Sequence, residues 1–101
     1  MYFTVHTLDG DPEVLLRRKR EHFDPVVAEH AARFGAVSTV TIPTPTGLAV
    51  YNLWESEGGA REFTALPEIQ RAQQESQLPP PSSFERHIDV DGANLSISAE
   101  K

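Results

Sequence analysis

The chain has 101 residues, the length of one domain, a net charge of −6 and no cysteine. The charge argues against a general nucleic-acid or anionic-membrane binder, which needs a positive surface, and the lack of cysteine excludes disulfides, thiolate nucleophiles and Cys-type metal sites. No apolar run approaches the ~20 residues that span a bilayer and the first residues do not read as a secretory signal, so the expectation is a cytoplasmic protein that binds neither membrane nor nucleic acid.

Residues 2–8 are β-branched and aromatic and read as a strand. Asp9-Gly10-Asp11-Pro12 turns into a helix, with Asp11 suited to the N-cap and Pro12 to the first helical position. That helix extends to about Phe34 and stops at Gly35. Pro25, inside it, predicts a kink or a break. Residues 36–42 form a second strand and 48–54 a third, joined as a hairpin through Pro43-Thr44-Pro45-Thr46-Gly47. Ser56 can cap a helix through residue 66, whose first turn Gly58 and Gly59 weaken, predicting an irregular start. Pro67 restarts a helical piece to about Gln77, Pro79-Pro80-Pro81 is an extended connector, and 84–90 is the last strand. Residues 91–101 read as a polar tail with a short strand at 95–97.

The order βαββαβ predicts a single α+β domain over residues 1–90: a ferredoxin-like, four-stranded antiparallel sheet with helices on one face. Val5, Val40, Val50, Leu53 and Ile88 make both sheet faces partly apolar. A second copy packed through the sheet face would cover the open one, and so short a chain gains from the added burial.

On the first helix, Leu16, Phe23, Val27 and Phe34 centre an apolar stripe at ~100° per residue, flanked by Leu15 and Val26. Lys19 and His30 fall on the same side, where a cation and an imidazole need partners or a wet cavity. Two readings stand: His30, with Lys19, faces a pocket between helix and sheet, or Lys19 snorkels to the rim and His30 is a satisfied core histidine. His22 sits at the edge of the stripe. Its separation from His30, about 12 Å along a helix, is too long for one metal, and no metal is expected. On the third strand, alternation sets Leu48, Val50, Asn52 and Trp54 on one face. Asparagine there must find hydrogen bonds or meet a ligand. Either Trp54 is a core anchor and Asn52 a backbone partner, or the two line a site. His6 shares a face with Tyr2, Thr4 and Leu8. Arg86, beside Phe84, Ile88 and Val90, either clamps a substrate oxygen or pairs with an acidic residue. Arg17-Arg18-Lys19-Arg20 wraps around the helix and reads as solvated surface.

The order of elements, with Leu53-Trp54-Glu55-Ser56 at a strand end, the Pro67-Glu68-Ile69 helix and the closing Phe84-Glu85 strand, resembles the dimeric α+β barrel superfamily over residues 2–90, in its antibiotic-biosynthesis-monooxygenase-like branch. The resemblance implies a homodimer with one pocket per subunit between sheet and helices. It also implies cofactor-independent, base-assisted oxygenation, isomerisation or cyclisation of a small phenolic or enolic substrate. Under it His30, Asn52 and Arg86 are the catalytic candidates, with His6 a second candidate base, and His6, Lys19, His22, Phe23 and Trp54 line the substrate. A haem-degrading variant would use a histidine on the second helix, and residues 56–77 contain none. The alternative is a non-catalytic dimeric ligand-binding or scaffold protein, in which Lys19, His30 and Asn52 are satisfied by protein groups and no roomy pocket exists.

Overall fold

Strands β1 (Tyr2–Asp9), β2 (Ala36–Thr44), β3 (Gly47–Trp54) and β4 (Ser83–His87) form one sheet in the order β2-β3-β1-β4, every neighbouring pair antiparallel. The computed structural model describes residues 1–91, so the tail expected at 91–101, apart from Asp91, and its strand at 95–97 lie outside the described residues. The last strand is shorter than the sequence predicts. Asp89 takes φ 56° and breaks the ladder, which two backbone bonds of 2.9 Å between Met1 and Val90 then resume.

The first helical stretch has four parts in three kinds of winding. Helix α1 (Pro12–Arg18) starts at the Asp11 cap, whose carboxylate accepts the N–H groups of Glu13 (2.9 Å) and Val14 (3.2 Å). Residues Lys19–Phe23 open into a π-turn, with the Asp24 N–H bonded to the Lys19 carbonyl. Helix α2 (Asp24–His30) follows, then a 3₁₀ turn over Ala31–Phe34 that ends at Gly35, with φ 87°. The widened turn stands just before Pro25, whose ring would crowd the Glu21 carbonyl in a regular helix and which has no N–H to offer it. The extra residue advances the helical phase by about 100°. Lys19 therefore faces inward before the turn and Phe23 after it, while His22 is exposed. The kink expected at Pro25 takes this form, and the uniform wheel drawn through it does not hold: Leu15, rather than Leu16, is the buried residue of α1.

Helix α3 (Glu57–Thr64) starts regularly, against the expectation of an irregular first turn. The Ser56 hydroxyl accepts the Gly59 N–H at 3.1 Å. A Cβ at Gly59 would stand 2.1 Å from the Phe34 carbonyl oxygen, so this glycine lets α3 press against the end of the 3₁₀ turn. Helix α4 (Pro67–Glu75) packs back over the π-turn and α2.

The helix side of the sheet is organised in rows that run across the strands. Ala36, Trp54 and Tyr2 form an apolar row. Thr39, Asn52, Thr4 and Arg86 form the next, polar across all four strands. Thr41, Val50, His6 and Phe84 form a mixed row, and Leu48 with Leu8 closes the series. The apolar core follows this banding. One cluster gathers Tyr2, Trp54, Ala60, Phe63 and Ile69, with Phe23, Val26 and Val27 against it. A second gathers Leu8, Leu15 and Leu48. The opposite sheet face carries Phe3, Val5, Val40, Ile42, Tyr51 and Leu53, none of them buried.

Candidate functional site

Between the two apolar clusters lies a layer of polar side chains. Each element that crosses it contributes: Thr4 and His6 from β1, Asn52 from β3, Thr39 from β2, and Lys19 from the π-turn. The placement of Lys19 follows from the helix itself, since Leu15 before it joins the Leu8–Leu48 cluster and Phe23 after it joins the Tyr2–Trp54 cluster. Lys19 thus lies between the two clusters, close enough for its charge to act on His6 of β1, and is only 7% exposed. An ammonium is costly to bury unless it is paired. Its partner is Asp24, with Nζ donating to Oδ1 at 2.7 Å. The two are five residues apart, a spacing that a regular α-helix would splay around its circumference and that a π-turn aligns.

Asn52 is held by both neighbouring strands. The Thr39 hydroxyl donates to Asn52 Oδ1 at 2.8 Å, and Asn52 Nδ2 donates to the Thr4 Oγ1 at 3.3 Å. An amide has two N–H groups and two oxygen lone pairs, so one of each is left without a hydrogen-bond partner among the described residues. His6 stacks on Phe84, ring centroids 6.3 Å apart at 21°. Burial first, and the Lys19 ammonium second, hold the His6 imidazole below the ordinary histidine range. At neutral pH the ring is uncharged and has a free nitrogen to accept a proton. Trp54 closes the Asn52 end of the layer, packed on Phe63 with centroids 5.1 Å apart. The layer reaches the surface at both sheet edges, through exposed Thr39 on β2 and exposed Phe84 on β4.

The structure therefore brings His6, Lys19 and Asn52 into one layer, with Phe23 and Trp54 at its end. It sets three other candidates apart. His22 is on the exposed side of the π-turn. His30 faces α4 rather than the sheet, accepts from Arg33 Nη2 at Nδ1 (2.9 Å), and lines an open groove of about 320 Å³ with Val26, Glu29, Glu68 and Arg71. Arg86 ends the polar row at the β4 edge, where Nη1 bonds Glu57 Oε2 at 3.0 Å. A second open groove, about 280 Å³, is lined by Tyr2, Glu55, Ser56 and Ile88. Sequence reasoning missed Thr4, Thr39 and Asp24. The threonines read as ordinary strand formers, and no local signal reveals that they flank Asn52. Asp24 is visible as a partner of Lys19 only once the π-turn is known. Among the described residues, no buried polar side chain lacks a partner, and no three His, Asp or Glu side chains come together as metal ligands.

No protein-family model and no curated protein matches the sequence. Solved structures match nearly all of it. A candidate antibiotic biosynthesis monooxygenase from Chloroflexus aurantiacus J-10-fl is 17% identical with a TM-score of 0.63, the match covering 93% of this chain and 97% of that one. Rv0793 from Mycobacterium tuberculosis is 16% identical with a TM-score of 0.65, over 93% and 100%. SnoaB, a cofactor-independent oxygenase from Streptomyces nogalater, is 14% identical with a TM-score of 0.58, over 90% and 93%. The fold is that of the antibiotic-biosynthesis-monooxygenase-like proteins, and no helix among the described residues is long and apolar enough to cross a membrane.

Proposed function

We propose that the protein is a small-molecule enzyme that oxygenates a phenolic or enolic substrate without a cofactor, in the polar layer between sheet and helices. The observation that carries this reading is the row Thr39–Asn52–Thr4 beside neutral His6: hydrogen-bonding groups set between two apolar clusters, where a core built for packing alone would have been apolar throughout. The fold shared with SnoaB, itself a cofactor-independent oxygenase, supports the same class. In this reading His6 takes the substrate proton, and the remaining N–H of Asn52 steadies the developing oxyanion. Phe23 and Trp54 wall the ring, and the electron-rich anion reacts directly with oxygen. The proton step falls to His6 rather than His30, because only His6 shares the layer with Asn52. The protein acts as a cytoplasmic homodimer joined through the open sheet face.

Oxygen uptake measured across dihydroxynaphthalenes and enolisable diketones tests the reading. The wild type should consume oxygen with one of these classes, and Asn52→Ala should lower kcat/KM by roughly a hundredfold. A second reading, a dimeric ligand-binding or scaffold protein, is favoured by a different observation: Lys19, Asn52 and His30 each already have a protein partner. Absence of uptake with every compound, together with saturable binding of one, would decide for it.

A further inference from the structure

The Lys19–Asp24 pair has a property that a purely structural ion pair does not need. Asp24 accepts one of three ammonium hydrogens, and the other two meet no hydrogen-bond acceptor among the described residues. The lysine is buried, whereas the side chain of its aspartate is 40% exposed and can turn to water. The cost of burying the cation therefore falls on the layer, and the counterion is the movable partner. Leucine or methionine at position 19 would have continued the apolar stripe from Leu15 to Phe23 and fused the two core clusters. The sequence instead sets a fixed positive charge within reach of His6, in the row next to Asn52 and Thr4. Asp24 is its partner, His6 is uncharged, and Arg86, on the same sheet face, is turned to Glu57.

We propose that Lys19 is the specificity-determining residue of this site, selecting a ligand that binds as an oxyanion, and that Asp24 is the resident counterion which the ligand displaces. This rests on the polar layer being the binding site and adds the ionisation state of what it holds: a weak organic acid, bound as phenolate, enolate or carboxylate, in preference to its neutral isostere. The ligand oxygen would meet the ammonium hydrogens of Lys19 that Asp24 does not take.

The test uses para-nitrophenol, whose phenolate absorbs in the visible, and nitrobenzene, which has no oxygen to ionise. Added to the full-length protein near the phenol's own pKa, para-nitrophenol should bind with a rise in phenolate absorbance. Nitrobenzene should bind more weakly by roughly ten- to a hundredfold, the span of one charge-assisted hydrogen bond. Lys19→Met, close in volume, should lose both the absorbance rise and the discrimination. Asp24→Asn keeps the ammonium and weakens its competitor, so it should bind para-nitrophenol more tightly than wild type. That second variant decides the matter even if Lys19→Met does not fold. The inference is overturned if wild type binds neither probe or both equally, if Lys19→Met keeps the phenolate signal, or if Asp24→Asn does not gain affinity. The outcome is separable from oxygenation. Phenolate capture through Lys19 without oxygen uptake ends the oxygenase reading alone, and uptake undiminished in Lys19→Met ends this one alone.

Discussion

Gly58 and Gly59 are neighbours in sequence and opposites in role. A Cβ at Gly58 meets nothing within 4 Å, whereas one at Gly59 meets the Phe34 carbonyl oxygen at 2.1 Å. Gly58→Ala should leave the fold intact and raise stability by about 0.5–1 kcal/mol, through helix propensity and a less flexible unfolded chain. Gly59→Ala should lower it, because the clash is with backbone that cannot swing aside; urea denaturation of the two variants compares them directly. Trp54, 7% exposed in the larger cluster, should cost ~3–5 kcal/mol when replaced by alanine. His6 sets a pH dependence. Its folded-state pKa is lowered, so below about pH 6.5 the unfolded chain binds the extra proton and the folded one resists it. Stability should thus fall as pH drops from about 6.5 towards the lower folded value, and His6→Gln should flatten that part of the profile. Identical profiles for the two proteins would remove His6 as the source.

At the scale of elements, the strands were legible and the first helical stretch only partly so. Alternation groups Thr4 with His6 on one face of β1, and Asn52 with Trp54 on one face of β3, from sequence alone, because the period of two is local. The row that joins Thr39, Asn52 and Thr4 depends on register between strands far apart in the chain, which no local pattern encodes. Pro25 announces an interruption but does not say that it takes the form of a widened turn, and so neither the outward His22 nor the Lys19–Asp24 pair could be read in advance. The turn makes its own prediction. Deleting Glu21 removes the extra residue, leaves Pro25 to kink the helix against the Arg20 carbonyl, and keeps Leu15, Lys19 and Phe23 on one face. Deleting Ala28 instead rotates the following 3₁₀ turn by about 100° and pulls Phe34 from its place against Phe63. The first variant should unfold cooperatively under denaturant and the second should not.

For the whole molecule, the open sheet face dominates. Phe3, Val5, Tyr51 and Leu53 at its centre, with Val40 and Ile42 towards the β2 edge, make an apolar surface of the kind single domains seldom leave to water. Sedimentation should give twice the chain mass. Tyr51→Glu, near the centre of that face, should give a monomer with unchanged far-ultraviolet circular dichroism. The sequence signals this face plainly, since six apolar residues recur at alternate positions on three strands. It does not signal that the helix side is split into two apolar clusters by a polar layer, because that division emerges only when the rows from β1, β2 and β3 are stacked against the π-turn.

Trp54 is the chain's single tryptophan. It is buried in the row adjoining Asn52, with Phe63 on one side and the polar layer on the other. Its fluorescence therefore comes from one known place, undiluted by any other indole. A molecule entering the layer must change the field and the solvent beside that ring, so its emission should shift in wavelength or be quenched in proportion to occupancy. A compound collection can be sorted on the unlabelled protein in a cuvette, before any reaction is known, by watching one native chromophore.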